Sequence, residues 1–222
     1  MMRTRDRAVS EQIEIALEAA DRGDGTIPIV EAGDPILRQS TVPFDGQVDD
    51  DVLLQLLLAM RLTVRSAPGV GLACPQVGIG LRMAVVEDPA TVPEDVARVR
   101  ERELLPFTPL INPEYRDASG ELASFYEGCL SVPGYQAVVP RHRKIILSAQ
   151  DNEGTAYERE VTGWSARIVQ HETDHLDGIL YLDRAEMRSL ATNEQVARWW
   201  NQPDAQAAAL ALGFELPDTP IM

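Results

Sequence analysis

The chain has 222 residues, enough for one full domain and short for two. A hydrophobic share of 45% supports an ordinary packed core and excludes an intrinsically disordered protein. A formal net charge of −15 argues against unaided tight binding to nucleic acid or to an anionic membrane, and no run of about 18 apolar residues is present to span a bilayer.

Arg3, Arg5 and Arg7 precede no apolar stretch, so the N-terminus does not read as a secretory signal. A soluble, cytoplasmic protein is expected, with Cys74 and Cys129 as free thiols rather than a disulfide. Residues 10–22 set Ile13, Leu17 and Ala20 among Glu11, Glu14 and Glu18, the pattern of an amphipathic helix, which Gly23-Asp24-Gly25 stops. Residues 26–30 suggest a short strand, and Asp34-Pro35 breaks the backbone before a loop. Asp49, Asp50 and Asp51 place negative charge at the start of a leucine-dense core helix that runs to about residue 66. Gly69-Val70-Gly71-Leu72-Ala73-Cys74-Pro75-Gln76 is too irregular for a helix, and its glycines would let another segment approach closely.

Residues 81–87 read as a strand, and 88–106 as a charged insertion with a short helix at 94–103 and no assigned function. Short strands follow at 110–113, 122–127, 135–139, 144–149 and 156–161, the last two joined by the turn signal Asp151-Asn152-Glu153-Gly154. From Gly163 a helix carries Ala166, Ile168, Val169 and Leu176 on an apolar face, which should be buried with the opposite face toward a cleft. A further helix is expected at 185–199, then an alanine-rich segment at 204–212. The class is α+β, antiparallel sheets packed around the helix that begins at Gly163, with N- and C-terminal helices. No repeat or linker divides residues 1–222, which read as a single catalytic domain with a core at about 26–185 and extensions at about 1–25 and 186–222.

That central helix contains Gln170-His171-Glu172-Thr173-Asp174-His175-Leu176-Asp177-Gly178. Four residues make about one helical turn, so His171 and His175 project from one face and can grip one metal ion, with the Glu172 carboxylate beside it. Catalytic sites of this kind use three protein ligands and keep one position open. No histidine follows His175, which leaves Asp183, Glu186, Cys74 and Cys129 as sources of the third ligand.

Three separated stretches, in order, resemble the bacterial peptide deformylases, in particular those of actinobacteria: Gly69 to Gln76, Glu127-Gly128-Cys129-Leu130-Ser131, and Gln170 to Gly178. The resemblance covers roughly residues 26–185, including Gly33-Asp34-Pro35-Ile36-Leu37-Arg38, and leaves the insertion and both termini uncovered. It implies that Cys129, His171 and His175 hold one divalent metal, natively Fe(II), with zinc, nickel or cobalt in isolated protein. It further implies hydrolysis of the formyl group of N-terminal formyl-methionine on nascent polypeptides, releasing formate. Glu172 would take a proton from water and return it to the leaving amine, while the Gln76 amide and the Leu130 backbone N–H stabilise the developing oxyanion. By family position Val70, Phe125, Trp164, Ile168 and part of His171 line the methionine slot, with Arg167 and Glu127 at its rim. The peptide would lie along Gly71 and Gly128.

The chain departs from the resemblance at Cys74, where alanine is usual, which puts a second oxidisable sulfur near the pocket. It departs also at Gln136, where some members carry an arginine. Asp174 would hold a ligand or pair with Arg141. The expected partners are the formylated nascent chain and, transiently, the ribosome, through the N-terminal arginines or the C-terminal helix; no membrane and no specific nucleic acid is expected. The competing functions are an HExxH zinc endopeptidase with a carboxylate third ligand and a catalytically silent, metal-stabilised relative.

Overall fold

The computed structural model describes residues 4–217, and side chains from Arg7 onward. Of the N-terminal arginines, Arg3 and the side chain of Arg5 lie outside the described residues, and Arg7 bonds Glu11 one turn on. Helix α1 (Thr4–Arg22) begins earlier than its periodicity suggests, and α2 (Asp50–Ser66) starts at the acidic triplet. The two pack through Ile13, Ala16 and Ala20 against Leu56, Leu57 and Met60, and together cover one side of β1 (Gly71–Ala73) and β2 (Met83–Asp88). The leucines of α2 divide between two faces: Leu53, Leu56 and Leu57 are buried, whereas Leu54, Leu58 and Leu62 are exposed.

Helix α3 (Glu94–Arg100) lies in the insertion. Then come β3 (Leu105–Asp117), β4 (Leu122–Cys129), β5 (Val132–His142), β6 (Lys144–Gln150) and β7 (Ala156–Thr162), all longer than their apolar cores indicate. One antiparallel sheet has the order β1-β2-β3-β6-β7. Helix α4 (Gly163–Leu176) packs on it, pressing Ala166, Val169 and Leu176 onto Ala84, Leu110, Ile145 and Leu147.

The second sheet has the order β4-β5-β8, where β8 (Glu186–Thr192) occupies part of the span expected to be helical. The free edge of β5 overrides local preference there. Tyr135, Gln136 and Val138 pair with Thr192, Ala191 and Glu186, and buried Ser189 accepts a 2.7 Å bond from the Val138 N–H. Only at Thr192, whose hydroxyl caps the chain, does α5 (Asn193–Trp199) begin, and α6 (Gln206–Leu212) follows. Both cover Tyr126 and Val138.

The strand expected at 26–30 is absent, because its backbone donors find single partners instead of a ladder: Ile27 donates to the Thr63 hydroxyl and Val30 to the Gln76 carbonyl. Among the described residues no helix is long and apolar enough to cross a membrane.

Candidate metal centre and its cleft

Two elements bring the donor atoms together. On α4, His171 and His175 lie one turn apart, edge-on, with ring centroids 5.0 Å from one another. Cys129 ends β4 where the register with β5 slips between Gly128 and Cys129, and such an irregularity re-aims a side chain out of the ladder. The slip turns Sγ toward α4, 3.2 Å from His175 Nε2. Ligand atoms of Cys129, His171 and His175 all lie within 4.8 Å of one another, the one such group among the described residues.

The chemistry of this set fits a divalent cation of borderline softness, one thiolate and two imidazoles with room for a fourth ligand. Burial, with His171 beside it, holds the His175 pKa well below its ordinary value, so the ring is neutral and keeps a lone pair. His171 moves the other way, up to about 10. Burial disfavours its cationic form, but the Cys129 sulfur and the Glu127 carboxylate outweigh that.

Glu127 anchors the centre from behind. It accepts from Arg141 at 2.7 and 3.0 Å, from Arg167, and from His171 Nδ1 at 3.0 Å, which directs His171 Nε2 toward the donor cluster. Burial would raise the Glu127 carboxyl, but Arg141 and Arg167 hold it well below the usual carboxylate range. Arg141 also donates to Asp174 at 2.7 Å, and Asp174 accepts from Arg184 and from the Tyr115 hydroxyl. Asp174 thus pairs with Arg141 and touches no donor of the cluster.

Glu172 points into the same space and is nearly fully buried, and its Oε2 has no hydrogen-bond partner among the described residues. Burial pushes its carboxyl up to about 7, against the pull of His171 and Arg141, so it can both accept and release a proton near neutrality. Gly71 on β1 makes room for it, since a Cβ there would stand 2.6 Å from the Glu172 Cδ. Gln76 sits in a 3-10 turn (Cys74–Val77). The Ala73 N–H donates to its oxygen at 2.8 Å, so its NH2 must face the site, where it lies 3.5 Å from Cys129 Sγ and 3.4 Å from the Ser131 hydroxyl.

These groups border an open cleft of about 510 Å³, which Val70, Gly71, Gln76, Glu127 to Leu130, Trp164, Arg167, Ile168, His171 and Glu172 all line. Phe125 lies elsewhere. Two residues before Glu127 on β4, it packs edge-on against Trp164 at 5.9 Å and lines an adjoining cavity of about 530 Å³, to which Trp164 and Arg167 also contribute. Asp183 pairs with Arg38, and Glu186 accepts from the Arg188 backbone, so both carboxylates expected as alternative ligands are engaged away from the cluster. Cys74 is also remote from the cleft. Its sulfur is fully buried 3.8 Å from Met60 Sδ, and burial pushes its thiol up, which leaves it an inert core residue rather than an oxidisable pocket group.

The polypeptide deformylase family model matches residues 26–191. The chain belongs to the peptide deformylase family. Among relatives, peptide deformylase 3 of Streptomyces avermitilis is 55% identical over 219 residues, covering 96% of this chain and 98% of that protein. Peptide deformylase 1 of Streptomyces coelicolor is 58% identical over 193 residues, 87% of this chain and 88% of the other. Among solved structures, the Met-Ala-Ser-bound class I type b peptide deformylase from Acinetobacter baumannii superposes with a TM-score of 0.64 at 34% identity, over 72% of this chain and 98% of that one. Membership makes the chain a hydrolase that removes the formyl group of nascent peptides, and metal dependence fits the family and the Cys129-His171-His175 group.

Residues without a motif also shape the cleft. Arg100 and Arg102, from the insertion, line it, as do Gln136 and Asn193, which bond each other at 3.0 Å. Arg100, Arg102 and Asn193 lie far from the motifs in sequence, so no spacing rule points to them, whereas Gln136 follows the Glu127–Ser131 stretch closely and stands out already as a departure from the family.

Proposed function

We propose that the chain hydrolyses N-formyl-methionyl polypeptides as a single catalytic unit, with Cys129, His171 and His175 holding one ferrous ion. Isolated protein would also accept zinc, nickel or cobalt. When bound, the cation supplies a Lewis acid beside the substrate and lowers the pKa of water. Glu172 accepts the proton of the attacking water and delivers it to the departing amine, a role suited to a buried carboxyl near pKa 7. The Gln76 NH2 and the Leu130 backbone N–H stand as fixed donors for the developing oxyanion. Val70, Trp164 and Ile168 form the apolar walls for methionine, with Arg167 and Glu127 fixing the wall behind. The peptide backbone runs along Gly71 and Gly128, so residues after methionine can vary. The protein meets its substrate at the ribosome.

The observation that carries this reading is the unpartnered, buried Glu172 carboxylate beside the Cys129-His171-His175 cluster. The deciding assay is formate release from formyl-Met-Ala-Ser by anaerobically iron-loaded protein. Turnover is expected, and its absence would reject the reading. In parallel, Cys129→Ser should lose metal and activity together, whereas full occupancy with unchanged turnover would reject the ligand set.

A further inference from the structure

The Trp164 wall of the proposed methionine slot is cationic. Arg100 and Arg102 reach the cleft from the insertion, and their guanidinium carbons stand 5.2 and 5.3 Å from the Trp164 ring centroid. Arg167 lies on the same ring at 5.7 Å. Two of these three charges are already matched: Arg102 makes a two-pronged bond to Asp88 at 2.8 and 2.9 Å, and Arg167 bonds Glu127. Arg100 differs. Its Nε and one terminal nitrogen donate to the Pro203 and Gln202 carbonyls at 2.9 and 3.0 Å, it forms no ion pair among the described residues, and its remaining terminal nitrogen has no hydrogen bond there. The carbonyls come from the segment between α5 and α6, so the insertion and the C-terminal extension together fix this guanidinium beside Trp164 on the cleft wall.

A thioether is only a weak acceptor and makes little use of such a donor. Oxidation of methionine at sulfur adds a strongly polar oxygen while keeping the chain length. In a wholly apolar slot that oxygen would be buried without a partner and the side chain rejected. Here the apolar walls, Val70 and Ile168, would still contact the methylene groups, and the oxygen would meet the free N–H of Arg100.

Resting on the deformylase reading above, we infer that the chain also deformylates peptides beginning with N-formyl-methionine sulfoxide, with Arg100 as the residue that admits the oxidised side chain. The reaction itself is unchanged. Water adds to the formyl carbon, the C–N bond breaks to give formate and a free amine, and the sulfoxide sulfur undergoes no change in oxidation state.

The test compares kcat/KM for formyl-Met-Ala-Ser and formyl-Met(O)-Ala-Ser on metal-loaded wild-type protein, Arg100→Met and Arg100→Lys. In the wild type the sulfoxide peptide should be within about tenfold of the thioether peptide. In Arg100→Met the ratio should fall a further tenfold or so against the sulfoxide, the worth of a hydrogen bond to a charged group, with Arg100→Lys between them. A ratio rather than a rate is read, so a general loss of activity in either variant does not mimic the result. Calorimetric binding of the products Met-Ala-Ser and Met(O)-Ala-Ser supplies a second readout. If neither formyl peptide turns over, the deformylase reading fails, yet the product pair still tests the pocket. A wild-type ratio below about one hundredth, a ratio unmoved by Arg100→Met, or equal loss of both products' binding in that variant would overturn the inference.

Discussion

At the residue scale the site depends on a missing side chain. Gly71 lies on β1 with its Cα against Glu172, and a Cβ there would come within 2.6 Å of the carboxyl carbon and 2.7 Å of Cγ. Glu172 would have to swing away from β1, out of line with the donor cluster. Displacement of a catalytic group by about 1 Å costs on the order of a hundredfold in rate. Gly71→Ala should therefore lower kcat with formyl-Met-Ala-Ser by about that factor while metal content, read by elemental analysis, stays at the wild-type level. Parallel loss of metal and rate would show instead that the substitution disturbs His171. The residues that a spacing rule can see, His171, Glu172 and His175, were legible in the sequence, because one helical turn sets their relation. Cys129 was visible from the residues only as one of four candidate ligands and was singled out by the family motif, since its approach to α4 depends on a register slip between two strands. Arg141 was legible only as a possible partner of Asp174, and Arg100 carries no local signal at all. Their roles come from what the fold packs opposite them.

At the scale of elements, the insertion clasps the first turn of the helix that bears the site. Glu101 adopts a left-handed conformation at the end of α3, and its carbonyl accepts the Trp164 N–H at 3.2 Å, capping one of the orphan donors of α4. Its side chain holds Arg143 at 2.5 and 2.7 Å. Gly163 permits the contact: its φ is +59°, and a Cβ would meet the Glu101 Cβ at 2.6 Å. Gly163→Ala combines the left-handed penalty of about 1–2 kcal/mol with that clash, so urea unfolding should show a loss of about 2 kcal/mol or more. A loss below about 0.5 kcal/mol would mean that the insertion yields freely and does not hold α4. The elements with strong periodicity, α2 and α4, were readable from the chain, as was the hairpin between β6 and β7 with its turn residues. Strand β8 was not, because residues 186–192 carry no alternation strong enough to outweigh helix-forming Glu186, Met187 and Arg188, and only the open edge of β5 makes them a strand. The short segment at 26–30 failed in the opposite sense. Its composition suits a strand, yet no partner strand lies beside it.

For the whole molecule, charge sets the limits. The chain carries 35 acidic groups against 20 lysines and arginines, so removing a carboxylate should on average relieve repulsion. Glu87 is an exception that can be tested. At the end of β2 it accepts bonds from Arg61 and Arg65 of α2, the nearest at 2.7 Å from each, and so ties the N-terminal helical layer to the five-stranded sheet. Those bonds lower its pKa to about 2 against the opposing effect of partial burial. Carboxylates elsewhere act through water over distances comparable with the screening length of about 8 Å at physiological salt, whereas these contacts are direct, so the contacts should prevail. A carboxylate whose folded pKa is depressed contributes stability that is fully present above the unfolded value, about 4.3, and lost as pH falls toward the folded one. Glu87→Gln should thus unfold at lower urea than wild type at pH 7, by about 1 kcal/mol given that both arginines are partly exposed, and the gap should close between about pH 4.5 and pH 2 as the wild-type carboxyl takes its proton. A variant more stable than wild type at pH 7 would show that relief of the net charge outweighs the clasp. A gap that persists unchanged at pH 2 would show that the loss came from packing rather than from the ion pairs.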